Sequence, residues 1–159
     1  MTCVSEEVKQ RGDVEIIIDH KDGRQETFWV RNAILQSAKN AHASAVANFV
    51  GANYQYFVDQ MIFGTNGTLS GAPKVVDASR TGLFGATLVS KPVMATINPS
   101  VLNQAIFTTV IGFDEGNGSV INEMALVMKN GSLYSMVTLG GISKSSSIQI
   151  TFNWRLTYV

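Results

Sequence analysis

Cysteine is all but missing, since Cys3 is the single one among 159 residues. No intramolecular disulfide can form, and a lone terminal thiol builds no metal centre. The expectation is a chain made in a reducing cytoplasm, with Cys3 free. Histidine is nearly as scarce. His20 and His42 stand apart from each other and from Cys3, a spacing that fits no zinc site. Both read as ordinary histidines, His20 beside a hairpin turn and His42 on a helix flank. Charged residues make up only 15%, against about 25% in a typical soluble domain. Twelve basic residues balance twelve acidic ones. That balance argues against electrostatic capture of nucleic acid and against a polybasic membrane anchor.

Long apolar runs are missing as well. None approaches the length of a membrane span. The opening MTCVSEEVKQRGD lacks the basic-then-apolar order of a signal peptide. The sequons at Asn66, Asn117 and Asn130 therefore read as turns rather than glycan sites. Catalytic signatures are absent too. There is no G-x-S-x-G and no G-x-x-x-x-G-K-[ST]. The glycine-rich GTNGTLSG at 64–71 has no lysine and no helix pattern after it. DEGNG at 114–118 offers the oxygens of Asp114, Glu115 and Asn117. It lacks the alternating ligands and closing glutamate of a calcium loop, so a plain turn is expected there. Glu123 and Asp114 are the only carboxylates worth weighing as a pair, and nothing in the spacing joins them. The expectation is no enzyme, no cofactor and no metal.

What is present is β-patterning. The length suits one domain with a core of its own. Residues 13–30 read as a hairpin around Asp22-Gly23. Residues 31–50 form an alanine-rich stretch without Gly or Pro. There Ile34, Ala38, Ala41, Ala45 and Phe49 recur at helical spacing. A helix is predicted over 31–50, with Asn32 as its cap and Gly51 at its end. Residues 54–63 return to strand-like content, 64–73 read as a loop, and 74–82 are polar. Two short strands are predicted within 83–97, broken at Lys91-Pro92. The segment 100–113 has apolar residues on both faces, as a strand buried on both sides or at a subunit contact would. Residues 123–129 and 132–139 flank Asn130-Gly131, a hairpin turn with both residues expected at positive φ. Gly140-Gly141 bends the chain, and 144–147 is a polar link.

The last strand is the best patterned. Ile148, Ile150, Phe152, Trp154, Leu156 and Tyr158 point one way, while Gln149, Thr151, Asn153, Arg155 and Thr157 point the other. A slip of one residue would expose the whole apolar set, so its register is firmly specified. Met124, Met128 and Met136 read as core fillers. The fold class is therefore mainly β: an antiparallel β-sandwich or jelly-roll-like domain over 13–159 with one alanine-rich helix, preceded by an N-terminal arm at 1–12.

The C-terminal third, VINEMALVMKNGSLYSMVTLGGISKSSSIQITFNWRLTYV, resembles a recurrent ending of small virion proteins of tailed bacteriophages. Ile121-Asn122-Glu123 opens a strand ending near Val127, and Gly131 to Ser135 supplies a Gly-x-Leu-Tyr-Ser segment. Lys144 then precedes a final alternating strand that holds Trp154. The front half is similar as well: a hairpin, an Asn-led alanine-rich stretch from Asn32 to Val50, and a strand closing on Phe63-Gly64-Thr65. Residues 74–97 match nothing in that pattern. The resemblance implies a non-enzymatic virion component, made in the host cytoplasm and located in the virion. Such a protein decorates the capsid shell, or sits at the neck, tail or baseplate as a fibre adaptor. Its implied partners are the major capsid protein or tail and neck proteins, together with copies of itself in a homo-oligomer, and neither nucleic acid nor membrane. Irregular segments often carry contacts. Val4 and Val8 in the arm, and Leu69, Val75, Val76 and Arg80 in the loop region, are thus the candidate protein-contact residues. A carbohydrate- or receptor-binding sandwich is the alternative from another class, with Trp29, Tyr54 and Tyr56 as its candidate aromatics.

Overall fold

Strict alternation makes the final segment the centre of a sheet. In the computed structural model, which describes residues 9–47 and 55–159, β12 (Ile148–Tyr158) lies between β1 (Gln10–His20) and β9 (Gln104–Ile111). The hairpin partner β2 (Gln25–Arg31) and the short β8 (Met94–Ile97) complete this first sheet, in the order β2-β1-β12-β9-β8. A second antiparallel sheet has the order β3-β11-β10-β4-β7. It comprises β3 (Ala33–Ile34), β4 (Val58–Gly64), β7 (Thr87–Pro92), β10 (Val120–Met128) and β11 (Leu133–Ser143). The two-residue strands β5 (Thr68–Leu69) and β6 (Ala72–Pro73) make a separate small hairpin. The result is the expected β-sandwich with one helix.

The sheets face each other across one apolar layer. Val14, Ile16, Ile150, Phe152, Trp154 and Ile111 on the first sheet, and Met61, Phe63, Met124 and Leu126 on the second, are fully buried. The Phe63 and Phe152 rings meet with centroids 4.6 Å apart, tying the two layers together. On β12, Ile148, Ile150, Phe152, Trp154 and Leu156 are all buried, worth on the order of 10 kcal/mol before entropy is counted. Met124 and Met128 fill the same layer, as expected of core methionines.

The two sheets differ on their outer sides. Every residue of β10 from Ile121 to Met128 is buried, so the second sheet is covered on both faces. Its outer cover is the 65–86 segment. Val76, Leu83 and Phe84 pack there against Leu35, Ala125, Val127, Leu133 and Met136. Among the described residues no such layer covers the first sheet. Along its strands buried residues alternate with part-exposed ones.

The helix departs from its expected span. α1 runs Gln36–Val46, with Leu35 rather than Asn32 at its cap position and no side-chain cap. Arg31 ends β2, and Ala33 and Ile34 pair with Met136 and Ser135 instead. Pairing with the edge of a sheet outweighs local helix propensity at those two positions. The expected continuation to residue 50 lies outside the described residues, as do Phe49 and Gly51. The helix buries Ala38 and Ala41. The hairpin at 130–131 also differs in detail. Gly131 alone adopts positive φ (+87°), while its N–H bonds Met128 O at 2.8 Å and Asn130 Oδ1 accepts from Ser132 N–H at 2.9 Å. That is a three-residue loop closed by glycine rather than a two-residue turn. Pro92 closes the edge strand β7, where a missing N–H costs little.

Candidate functional site

Two segments that sequence reading weighed as ligand loops are occupied by the chain's own charges. Glu123, in the middle of an apolar strand, is fully buried. Its Oε1 accepts from the backbone N–H of Asn66 (3.0 Å) and Gly85 (3.1 Å), and its Oε2 from Phe84 N–H (2.6 Å). Next to it Asn122 Oδ1 accepts from Gly67 N–H at 2.6 Å. The backbone donors of the glycine-rich 64–71 run thus face a carboxylate and an amide supplied by β10. Glycine is required where the chain passes this close. A Cβ on Gly67 would overlap the Asn122 carbonyl, and one on Gly64 would stand 2.6 Å from Glu123 Oε1.

The 114–118 turn is filled in the converse way. Lys144 is buried, and its Nζ donates to Asn117 Oδ1 (2.8 Å), Ser145 O (2.8 Å) and Phe113 O (3.4 Å). An ammonium sits where a bound cation would have drawn on the same oxygens. Burial lowers the Lys144 pKa, against the pull of Asp114 and Glu115. Glu115 pairs with Lys91 (2.6 Å) and accepts from Gly112 N–H (2.8 Å). The Lys91 hydrogen bond, then that of Gly112, holds its carboxyl below the ordinary value. Glu123 and Asp114 therefore belong to different clusters. Among the described residues no group of three His, Cys, Asp or Glu could hold a metal, and no helix is long and apolar enough to cross a membrane.

The proposed contact residues fall into three groups. Val4 and Val8 lie outside the described residues. Leu69 and Val75 project outward, 71% and 90% exposed. Val76 turns in against the outer core. Arg80 turns in too, donating to the carbonyls of Gly82 (3.1 Å) and Leu83 (3.0 Å) and stacking 3.7 Å from the Phe84 ring centre. Arg80 braces the cover segment.

Sequence reading missed the broad outer face of the first sheet as a unit. The strand register sets its residues in rows: Thr27, Ile17, Thr151 and Val110; then Trp29, Glu15, Asn153, Thr108 and Met94; then Arg31, Asp13, Arg155, Ile106 and Thr96. Part of this face is internally paired. Asn153 Nδ2 donates to Glu15 Oε2 at 2.9 Å, Arg155 pairs with the same carboxylate at 3.4 Å, and the Arg155 guanidinium lies 4.4 Å from the Trp29 ring centre. The signal was available, because 100–113 carries apolar residues on both faces. One of those faces holds Phe107 and Ile111 in the core, while the other leaves Val110 38% exposed.

A cleft of about 860 Å³ opens between the start of β1, the end of β2 and α1. Lys9, Arg11, Arg31 and Lys39 line it, with Asp13 the one acid. At one side His42 Nε2 meets the hydroxyls of Tyr134 and Tyr158, and Gln10 Nε2 donates to Tyr134 Oη. Burial pushes the Tyr134 phenol upward. The Asn32 side-chain oxygen and nitrogen are buried without a partner among the described residues. Tyr56 packs against the core, and Tyr54 lies outside the described residues. Compared with protein-family models, curated proteins and solved structures, the chain matches none.

Proposed function

We propose that the chain is a non-enzymatic bacteriophage virion protein, a capsid decoration protein that binds the assembled shell and stabilises it. The observation that carries this reading is the five-stranded outer face of the first sheet, which no other element among the described residues covers. Its acids and arginines are balanced, and threonine, asparagine and isolated apolar side chains fill the rest. Such a surface suits contact with another folded subunit better than capture of a small molecule. The buried charges Glu123 and Lys144 clamp loops and leave no open catalytic centre between them. Many copies of a modest contact would stiffen a shell through multivalency. The similarity of the C-terminal third to small virion proteins points the same way.

Quantitative mass spectrometry of purified particles tests the reading. Near parity with the major capsid protein, or a simple fraction of it, is the expected result. A few copies per particle would move the protein to the neck, tail or baseplate. Complete absence would overturn the virion reading.

The basic-rimmed cleft favours a second reading, a receptor-binding module for acidic carbohydrate. Arg11, Arg31 and Lys39 would meet the carboxylate or sulfate, and Tyr158 the sugar ring. Glycan-array binding confined to acidic sugars, and lost in Arg31→Ala, is the result that would favour it over the shell.

A further inference from the structure

We propose that β8 is a self-pairing edge, through which two copies of this chain join their first sheets around a two-fold axis. The inference goes beyond the virion reading and rests on the strand geometry alone.

The other edges of the two large sheets are blunted. β2 carries Glu26 and Arg31, β7 carries Lys91 and ends in Pro92, and β3 is two residues long. Charge, proline and shortness are the usual guards against edge pairing. β8 has only its modest length. All four residues, Met94-Ala95-Thr96-Ile97, are exposed. From Pro92 to Phe113 the chain holds no charged residue.

The free backbone groups can be identified. Asn98 N–H bonds Gln104 O at 2.9 Å, toward β9. Alternation in an antiparallel ladder then directs Met94 and Thr96 to β9, and Ala95 and Ile97 away from it. Val93 N–H also points away and is taken by Asp59 O at 3.1 Å. Among the described residues nothing pairs with the N–H and C=O of Ala95 and Ile97, and these form the open edge.

One antiparallel register uses all of these groups at once. Ala95 of one copy faces Ile97 of the other, and the reverse, with Thr96 opposite Thr96 at the axis. Residues facing each other then lie on the same side of the joined sheet, so the outer faces remain outer. Threonine opposite threonine is a favourable cross-strand pair. Met94 of one copy comes alongside Asn98 of the other, next to the turn where Val101 and Leu102 are exposed.

A second copy is the occupant this edge fits. At a two-fold axis a residue meets its own counterpart, so a charge there meets a like charge. A charge-free edge and hairpin meet that requirement.

The test is sedimentation of the full chain over concentrations from about 1 µM to about 1 mM. A monomer–dimer equilibrium is expected for the natural chain. Thr96→Lys and Thr96→Glu should each weaken it by about tenfold or more, by placing like charges at the axis. An equimolar mixture of the two should restore it. Ala95→Pro should abolish dimers while leaving the thermal transition of the monomer in place, because the lost N–H faces away from β9. A natural chain that stays monomeric throughout overturns the proposal. So does a dimer that survives both Thr96 variants, or a mixture that fails to re-form one.

Discussion

Replacing Glu123 by Gln keeps the shape of the side chain and removes one acceptor. The carboxylate takes three backbone N–H groups, from Asn66, Gly85 and Phe84, at 3.0, 3.1 and 2.6 Å. The amide can keep its oxygen toward Asn66 and Gly85. Its NH2 must then face Phe84 N–H, donor against donor, in a place with no exposure to water. A hydrogen bond to a charged group is worth about 1.5–3 kcal/mol, and an orphaned buried donor costs about 1–3 kcal/mol. These overlap, so a loss of about 2–4 kcal/mol is expected. That is a large part of a domain's stability, about 5–15 kcal/mol. Urea unfolding reads the loss as a lowered midpoint, and hydrogen exchange reads faster exchange at Phe84. Loosening of the cover segment should also expose Ala125, Val127 and Met136, seen as added binding of a hydrophobic dye. A loss under about 0.5 kcal/mol, with the Phe84 amide still protected, would refute the clamp.

Three further outcomes are expected. Gly67→Ala should destabilise by about 3 kcal/mol or more, because its Cβ would overlap the Asn122 carbonyl and backbone has no room to yield; urea midpoints check this. Glu115 is held below its ordinary value of 4.5 by Lys91 and Gly112, so its contribution is complete above that pH and is lost as pH falls through the folded value. Glu115→Gln should therefore flatten the acid limb of a stability-against-pH curve between about pH 5 and pH 3. Tyr134, raised above its ordinary 10.0 by burial, keeps its proton when folded while the unfolded chain loses one. Stability should fall as pH rises past that value, and Tyr134→Phe should lessen the slope in alkaline thermal melts.

Much of the fold was legible because period-2 alternation is a strong signal where one face meets water. β12 and the 22–23 hairpin fall where the pattern puts them. The pattern weakens where both faces are buried. β10 reads Val-Ile-Asn-Glu-Met-Ala-Leu-Val-Met, with no alternation to show which side faces the other sheet. The helix starts later than local composition predicts because Ala33 and Ile34 suit a helix locally, and only the distant edge of β11 claims them. The site was harder still. Glu123 is conspicuous in an apolar strand, yet its partners lie at 66, 84 and 85, a pairing that no spacing reveals. Lys144 stands out as a lone lysine, but two of its three oxygens, from Phe113 and Asn117, come from a loop 31 and 27 residues earlier. The outer face of the first sheet needs the register of five strands together, and a single strand discloses only its own half.

The central claim is that this outer face lies on an assembled shell. Co-sedimentation with purified shells lacking the protein measures it directly, with the natural chain beside Thr151→Arg. Thr151 lies between Ile17 and Val110 on the face, where an unpaired arginine would lose water on docking without gaining a partner. The expected result is that the natural chain pellets with shells to saturation at a fixed ratio, while Thr151→Arg, equally stable in solution, stays in the supernatant. A natural chain that remains in the supernatant, or a Thr151→Arg variant that binds just as well, would contradict it.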